Sequence, residues 1–204
     1  SIWKSLGKGN TYTIWNLLSM KTIWIRHSES EYNAENKITG QHDPELSEYG
    51  KMQSDALANI LKTKYNHIES IYSSDLRRAW NTASIINERA RYELDIQIEP
   101  RLRERDFGEW SGKKKDQIEI LIGKEQYNNI RLEYNNKTND GESLRDVCGR
   151  IAGFLKDIED NKGPIIILCH AHTIRAAAIV LKVTTPENVN KFEVKNGEVF
   201  EWDY

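Results

Sequence analysis

Residues 21–29 read Lys21-Thr22-Ile23-Trp24-Ile25-Arg26-His27-Ser28-Glu29, a β-branched and aromatic run that ends in a cation and an imidazole. The run predicts a strand over residues 22–26. A second run, Pro164-Ile165-Ile166-Ile167-Leu168-Cys169, predicts a buried strand and also ends in a histidine, His170. Between them the pattern alternates: helix over 47–65, strand over 68–73, helix over 75–91 and a short strand over 96–98. Such alternation predicts an α/β fold, a mostly parallel central sheet flanked by helices on both faces. Ligands of these sheets bind at the carboxyl ends of the strands, so both imidazoles are expected where a substrate would sit.

Ser47 is the expected N-cap of its helix, with Met52, Ala56, Ile60 and Leu61 at helical spacing behind it. The polar, Lys-rich stretch 113–139 shows weak helical periodicity and is the expected lid or insertion. Lys113-Lys114-Lys115 within it is read as a solvated helix face. Ser143 caps a helix with the stripe Leu144, Val147, Ile151, Phe154, Leu155 and Ile158, which Gly163-Pro164 stops. A further helix is expected over 176–181. Residues 192–194 and 199–202 around Asn196-Gly197 predict a hairpin. Residues 1–19 carry no clear periodicity and precede the first methionine, Met20, so they read as an extension ahead of one catalytic domain over 20–204; Gly7-Lys8-Gly9 is too short and wrongly spaced for a phosphate-binding loop.

A chain of 204 residues, 38% hydrophobic and 29% charged, fits one globular domain, and its formal net charge of -2 supplies no global basic field for nucleic acid. Any anion site must therefore be built locally. No stretch reaches the roughly 18 consecutive apolar residues of a membrane span, and no leader opens the chain. With only two cysteines, one of them in a buried strand, a reducing cytoplasmic setting is expected. The pattern does not set an oligomeric state.

Arg26, Arg78 and Arg175 stand at strand ends or helix starts, where planar guanidinium groups would cradle a phosphate. Five ordered stretches join them: Arg26-His27-Ser28-Glu29 with Asn33 and Thr39-Gly40; Ser73-Ser74-Asp75-Leu76-Arg77-Arg78-Ala79 with Thr82-Ala83; Leu102-Arg103-Glu104 with Phe107-Gly108-Glu109-Trp110 and Gly112; Gly141-Glu142-Ser143; and His170-Ala171-His172-Thr173-Ile174-Arg175. Together they resemble the signatures of the histidine phosphatase (phosphoglycerate mutase-like) superfamily across residues 20–204. The resemblance implies that His27 is the nucleophile, that Arg26, Arg78 and His170 form the phosphate pocket, and that Glu104 protonates the leaving group. It further implies substrate contacts at Asn33, Thr39, Gly40, Ser28 and Ala171. Ser28 and Ala171 stand where the family usually has glycine.

The expected activity is hydrolysis of small phosphorylated molecules through a phosphohistidine, without cofactor or metal. His170 and His172, read as one residue apart on an extended segment, would point to opposite faces and make poor partners for one metal. A phosphoglycerate-type mutase is the alternative, disfavoured by the short stretch between Glu104 and Gly141. A binding module that has lost turnover has only Ser28 and Ala171 in its favour. For Glu104 to act as an acid, its pKa is expected above the free value of about 4.3.

Overall fold

The computed structural model describes residues 20–204, so the extension read from residues 1–19 lies outside the described residues. Five strands, β1 (Lys21–Arg26), β2 (Ser70–Ser73), β3 (Ile96–Ile98), β4 (Ile165–Cys169) and β5 (Val199–Asp203), make one sheet in the order β3-β2-β4-β1-β5. The first four run parallel; β5 closes the edge antiparallel to β1, with Phe200 opposite Trp24. Seven helices are present among the described residues: α1 (Glu31–Ala34), α2 (Glu48–Lys64), α3 (Arg77–Ala90), α4 (Lys115–Ile122), α5 (Lys124–Leu132), α6 (Leu144–Asp157) and α7 (Ala171–Val180).

Successive strand residues face opposite sides, and the two cores follow from that alternation. Trp24, Ile165 and Ile167 pack with Phe154, Leu155 and Ile174 of α6 and α7. Ile23, Ile25, Ile166 and Leu168 pack on the other face with Leu57, Leu61, Ala83 and Ile86 of α2 and α3. All five residues of β4 are fully buried, as expected of a central parallel strand with helices on both sides. Each aliphatic side chain buried there stabilises the fold by about 1.5–3 kcal/mol.

Three expectations about elements change. The inward stripe of α2 is Gly50, Ser54, Leu57, Ala58 and Leu61, while Met52 and Ile60 are more than 60% exposed. The small residues set this phase. A Cβ on Gly50 would collide with the Glu29 carbonyl, so only glycine lets the helix start lie against the loop after β1. The last helix begins at Ala171 rather than residue 176, because the chain turns into it directly from His170. Residues 192–194 form no strand: β5 pairs with β1, and the Asn196-Gly197 turn docks on the end of β1 through Gly197 N–H to Arg26 O at 3.0 Å. The expected caps at Ser47 and Ser143 are present, the latter as a capping box with Asp146.

Candidate active site

His27 follows the last residue of β1 and still bonds to the neighbouring strand, its N–H donating to Cys169 O at 3.0 Å. Its ring Nδ1 lies 2.6 Å from Ser28 O. A carbonyl only accepts, so Nδ1 carries the proton and Nε2 keeps the lone pair. Arg78 Nε donates to that Nε2 at 3.3 Å, and the His170 ring lies 5.0 Å away centroid to centroid.

Arg78 comes from the first turn of α3 and is fully buried. Its Nη1 donates to His42 O at 2.7 Å and Nη2 to Gly40 O at 2.9 Å. Gly40 sits at φ +51° with Ser111 Oγ where a side chain would begin, which lets this loop approach the guanidinium. Arg26 Nη1 donates to Val194 O at 2.8 Å, and its buried Nε has no protein partner. Asn33 Oδ1 accepts from Ser30 and from Asn196 Nδ2, the latter at 3.0 Å, which leaves the Asn33 amide NH₂ as a donor.

These residues border a cavity of about 120 Å³. Of the residues expected from sequence, Arg26, His27, Asn33, Thr39, Gly40, Arg78, Glu104, Ala171 and Arg175 line it. His170 stands just behind the lining, fully buried, with both ring nitrogens unpartnered. Ser28 departs from the expected substrate contact. Its hydroxyl accepts from Ser54 Oγ at 2.7 Å and its N–H donates to Thr82 Oγ1 at 3.1 Å, so it is tied to α2 and α3 and is absent from the lining.

Lys37, Lys115, Arg131 and His172 also line the cavity, and sequence reasoning missed all four. Lys115 corrects the reading of the Lys run as a solvated face, for only Lys113 and Lys114 are exposed. A usable signal existed in helical spacing. Lys115 precedes buried Ile118 by three residues and Arg131 follows buried Tyr127 by four, which puts each cation on the inward face. That face packs on Ile38, Phe107 and Trp110 as a small separate core. Buried Arg105 pins the end of α5 by donating to the carbonyls of Ile130, Arg131, Asn136 and Glu142.

His172 lies in the first turn of α7, not on an extended segment, and its ring packs edge-on against Phe107 with centroids 5.1 Å apart. Its main-chain N–H donates to Glu104 Oε1 at 3.1 Å, and its Nδ1 lies 3.5 Å from the same oxygen. Arg105 N–H donates to Oε1 at 2.8 Å. Both hydrogen bonds to this carboxylate thus fall on Oε1 among the described residues, and Oε2 remains to carry a proton. Arg103 pairs with Asp75, and the Arg105 guanidinium donates to main-chain carbonyls rather than to Glu104.

Burial, with Arg78 and Arg26 alongside, holds His27 well below the usual histidine range; burial and Arg78 do the same to His170. Burial brings His172 down to about 4. Burial also lowers Arg78 and Arg175 to about 10, which leaves both charged at neutral pH. For Glu104, burial pushes up, but His172, His170 and the Arg105 N–H outweigh it, and the carboxyl lies well below its usual range. That corrects the expected upward shift. The three histidines stay neutral in the fold and take protons on unfolding once the pH falls below about 6.5. More protons then bind the unfolded chain, so stability should decline with acidification, by about 1.4 kcal/mol per pH unit for each histidine. For His172 the window runs from 6.5 to about 4. Thermal melts from pH 7.5 to 5 measure this; a flat midpoint would show that the imidazoles are protonated in the fold.

A mostly parallel sheet whose strand ends bring one imidazole into a small arginine-lined cavity and hold a second just behind it has the arrangement of a phosphoryl-transfer site. The chain belongs to the histidine phosphatase superfamily (branch 1), whose profile matches residues 22–204. It is 32% identical over 181 residues to a 2,3-bisphosphoglycerate-dependent phosphoglycerate mutase of Beijerinckia indica, covering 86% of this chain and 87% of that one. Among solved structures it resembles a mycobacterial glucosyl-3-phosphoglycerate phosphatase, with TM-score 0.78 and 28% identity over 90% of this chain and 89% of the other. A phosphoserine phosphatase from Entamoeba histolytica, solved with 3-phosphoglyceric acid, matches with TM-score 0.74 and 28% identity over 89% of each chain.

Proposed function

We propose that the protein hydrolyses small phosphate monoesters through a phosphoramidate on His27 Nε2. The carrying observation is the His27 ring, its Nδ1–H bound to Ser28 O and its Nε2 beside Arg78, in the same cavity as Glu104. In the first half-reaction Nε2 bonds to phosphorus, the ester P–O bond breaks, and Glu104 gives its proton to the departing oxygen. Water then attacks phosphorus, Glu104 takes a proton back, and the N–P bond breaks to release phosphate. Arg26, Arg78 and the open N-terminus of α7 at Ala171 would stabilise the charge on the transferring group, and this charge set supports a reaction without metal. Among the described residues, no three His, Cys, Asp or Glu side chains converge as a metal site would need.

The lining holds six Lys and Arg side chains against the single carboxylate of Glu104. A phosphate dianion needs fewer than that, so the substrate carries a further anionic group. Cys148 and Cys169, both unpaired and buried, fit a reducing cytoplasmic setting. Among the described residues, no helix is long and apolar enough to cross a membrane.

The mutase reading has one specific observation behind it. The curated mutase relatives are matched over 87–90% of their own length, so a short stretch between Glu104 and Gly141 does not set this chain apart from them. Incubation with 3-phosphoglycerate, with and without chelator, separates the readings. Free phosphate at the same rate in both is expected. Rapid 2-phosphoglycerate with little free phosphate would establish the mutase, and a large loss in chelator restored by one divalent cation would refute metal independence.

A further inference from the structure

We propose that His172 is a positioning residue for the proton-donating step, tuning the acid Glu104 through its imidazole. The inference rests on the role of Glu104 proposed above. It stands on the placement of a side chain that the phosphoryl-transfer steps leave unused. His172 lines the cavity, is only 7% exposed, and has no hydrogen-bond partner on either ring nitrogen. A buried, unpartnered imidazole has given up water without gaining a hydrogen bond, and such a group at a functional site calls for an explanation.

The explanation lies in what the ring faces. Nδ1 is 3.5 Å from Glu104 Oε1, the oxygen that already takes two main-chain N–H bonds, and the edge-on Phe107 ring fixes the plane of the imidazole. Among these contacts, the His172 ring alone is a side-chain group. The other groups facing the pair are His170 at the start of α7, Arg175 one turn along it, Arg105 beside Glu104, and Arg26, Arg78, Lys115 and Arg131 around the cavity. An imidazole N–H this close to Oε1, or an imidazolium there, favours the carboxylate over the carboxylic acid. It therefore limits the pH up to which Glu104 keeps a proton, opposing burial and the incoming phosphate. Removing the ring nitrogens leaves burial less opposed, and Glu104 should then hold its proton to higher pH.

The test compares wild type with His172→Phe and His172→Asn, measuring kcat and KM across pH for glycerol 3-phosphate and for p-nitrophenyl phosphate. The alkyl ester needs the acid; p-nitrophenolate leaves readily without it. With the alkyl ester, the high-pH limb of kcat should move up by about one pH unit in the Phe variant and by less in the Asn variant, whose amide still donates. With the aryl ester the limb should stay where wild type has it. KM should change by no more than about threefold, since the phosphate-binding arginines are untouched. Limbs that coincide in all three proteins on the alkyl ester would overturn the inference alone. So would an equal displacement on both esters, which would place the effect at His27 or the phosphate. A wild type whose limb is the same for both esters would remove the acid role of Glu104 and the inference with it. Should the Phe variant fail to fold, the Asn variant decides by the same comparison.

Discussion

Replacement of His27 by alanine is expected to lower turnover of every phosphate monoester by on the order of 10⁴–10⁶-fold, as loss of a catalytic nucleophile does. The size follows from the site. Among the described residues, the His27 ring is the only imidazole whose geometry combines a fixed proton on Nδ1 with Nε2 beside the Arg78 guanidinium inside the cavity. Held well below the usual histidine range by burial, Arg78 and Arg26, it stays neutral, and therefore nucleophilic, into the acid range. Loss of activity should accordingly set in below neutral pH through other groups first. The direct measurement is capture of the phosphoenzyme: quench with labelled substrate under denaturing alkaline conditions, where a phosphoramidate survives, and map the label. Label on His27, absent from His27→Ala, is expected. Label on His170 instead, or substantial activity in the alanine variant, would move the nucleophile elsewhere. The alanine variant should keep its thermal midpoint near that of wild type, because it removes one buried polar ring and leaves the strand pairing of β1 intact.

The second large effect is expected at Glu104 and depends on the leaving group. Glu104→Gln keeps the shape of the side chain and an oxygen for the N–H groups of Arg105 and His172, and removes only the proton. Single-turnover phosphorylation by an alkyl phosphate should slow by about 10²–10⁴-fold, whereas an activated aryl phosphate should lose little. The low carboxyl adds a condition: for Glu104 to serve as the acid, the incoming phosphate dianion must raise its pKa. The alkyl rate should therefore fall as pH rises, and from a lower pH than an isolated carboxyl in a buried site would give. Equal losses on both substrates would make Glu104 an electrostatic support rather than the acid. Glu109 and Glu142, which stand in the motifs beside it, are poorly placed to replace it. Glu142 is held by Arg150 and by the Asp106 N–H, and neither Glu142 nor Glu109 lines the cavity.

Legibility of the site in sequence divides along a physical line. The two apolar runs ending in His27 and His170 are local patterns, and a strand-forming run states its own end; β1 and β4 accordingly lie where the pattern puts them. The ordered motifs around Asn33, Arg78 and Glu104 are likewise properties of chain order, and the residues they mark converge on one cavity. What sequence alone could not decide is direction. Whether residues 171–175 continue as extended chain or turn into a helix depends on the backbone of His170, at φ -131° and ψ 173°, and the turn there carries His172 to the cavity beside Glu104. Whether Ser28 faces phosphate or protein depends on Ser54 arriving from α2, whose phase is set by Gly50 against the loop after β1. Lys115 and Arg131 reach the cavity because α4 and α5 fold onto Phe107 and Trp110, and Asn196 reaches His27 and Asn33 because β5 pairs with β1 and not with residues 192–194. Strand and helix identity is decided by interactions within a few residues of chain. The direction of a side chain at an element's end is decided by partners 26 to 169 residues away, which no local pattern contains.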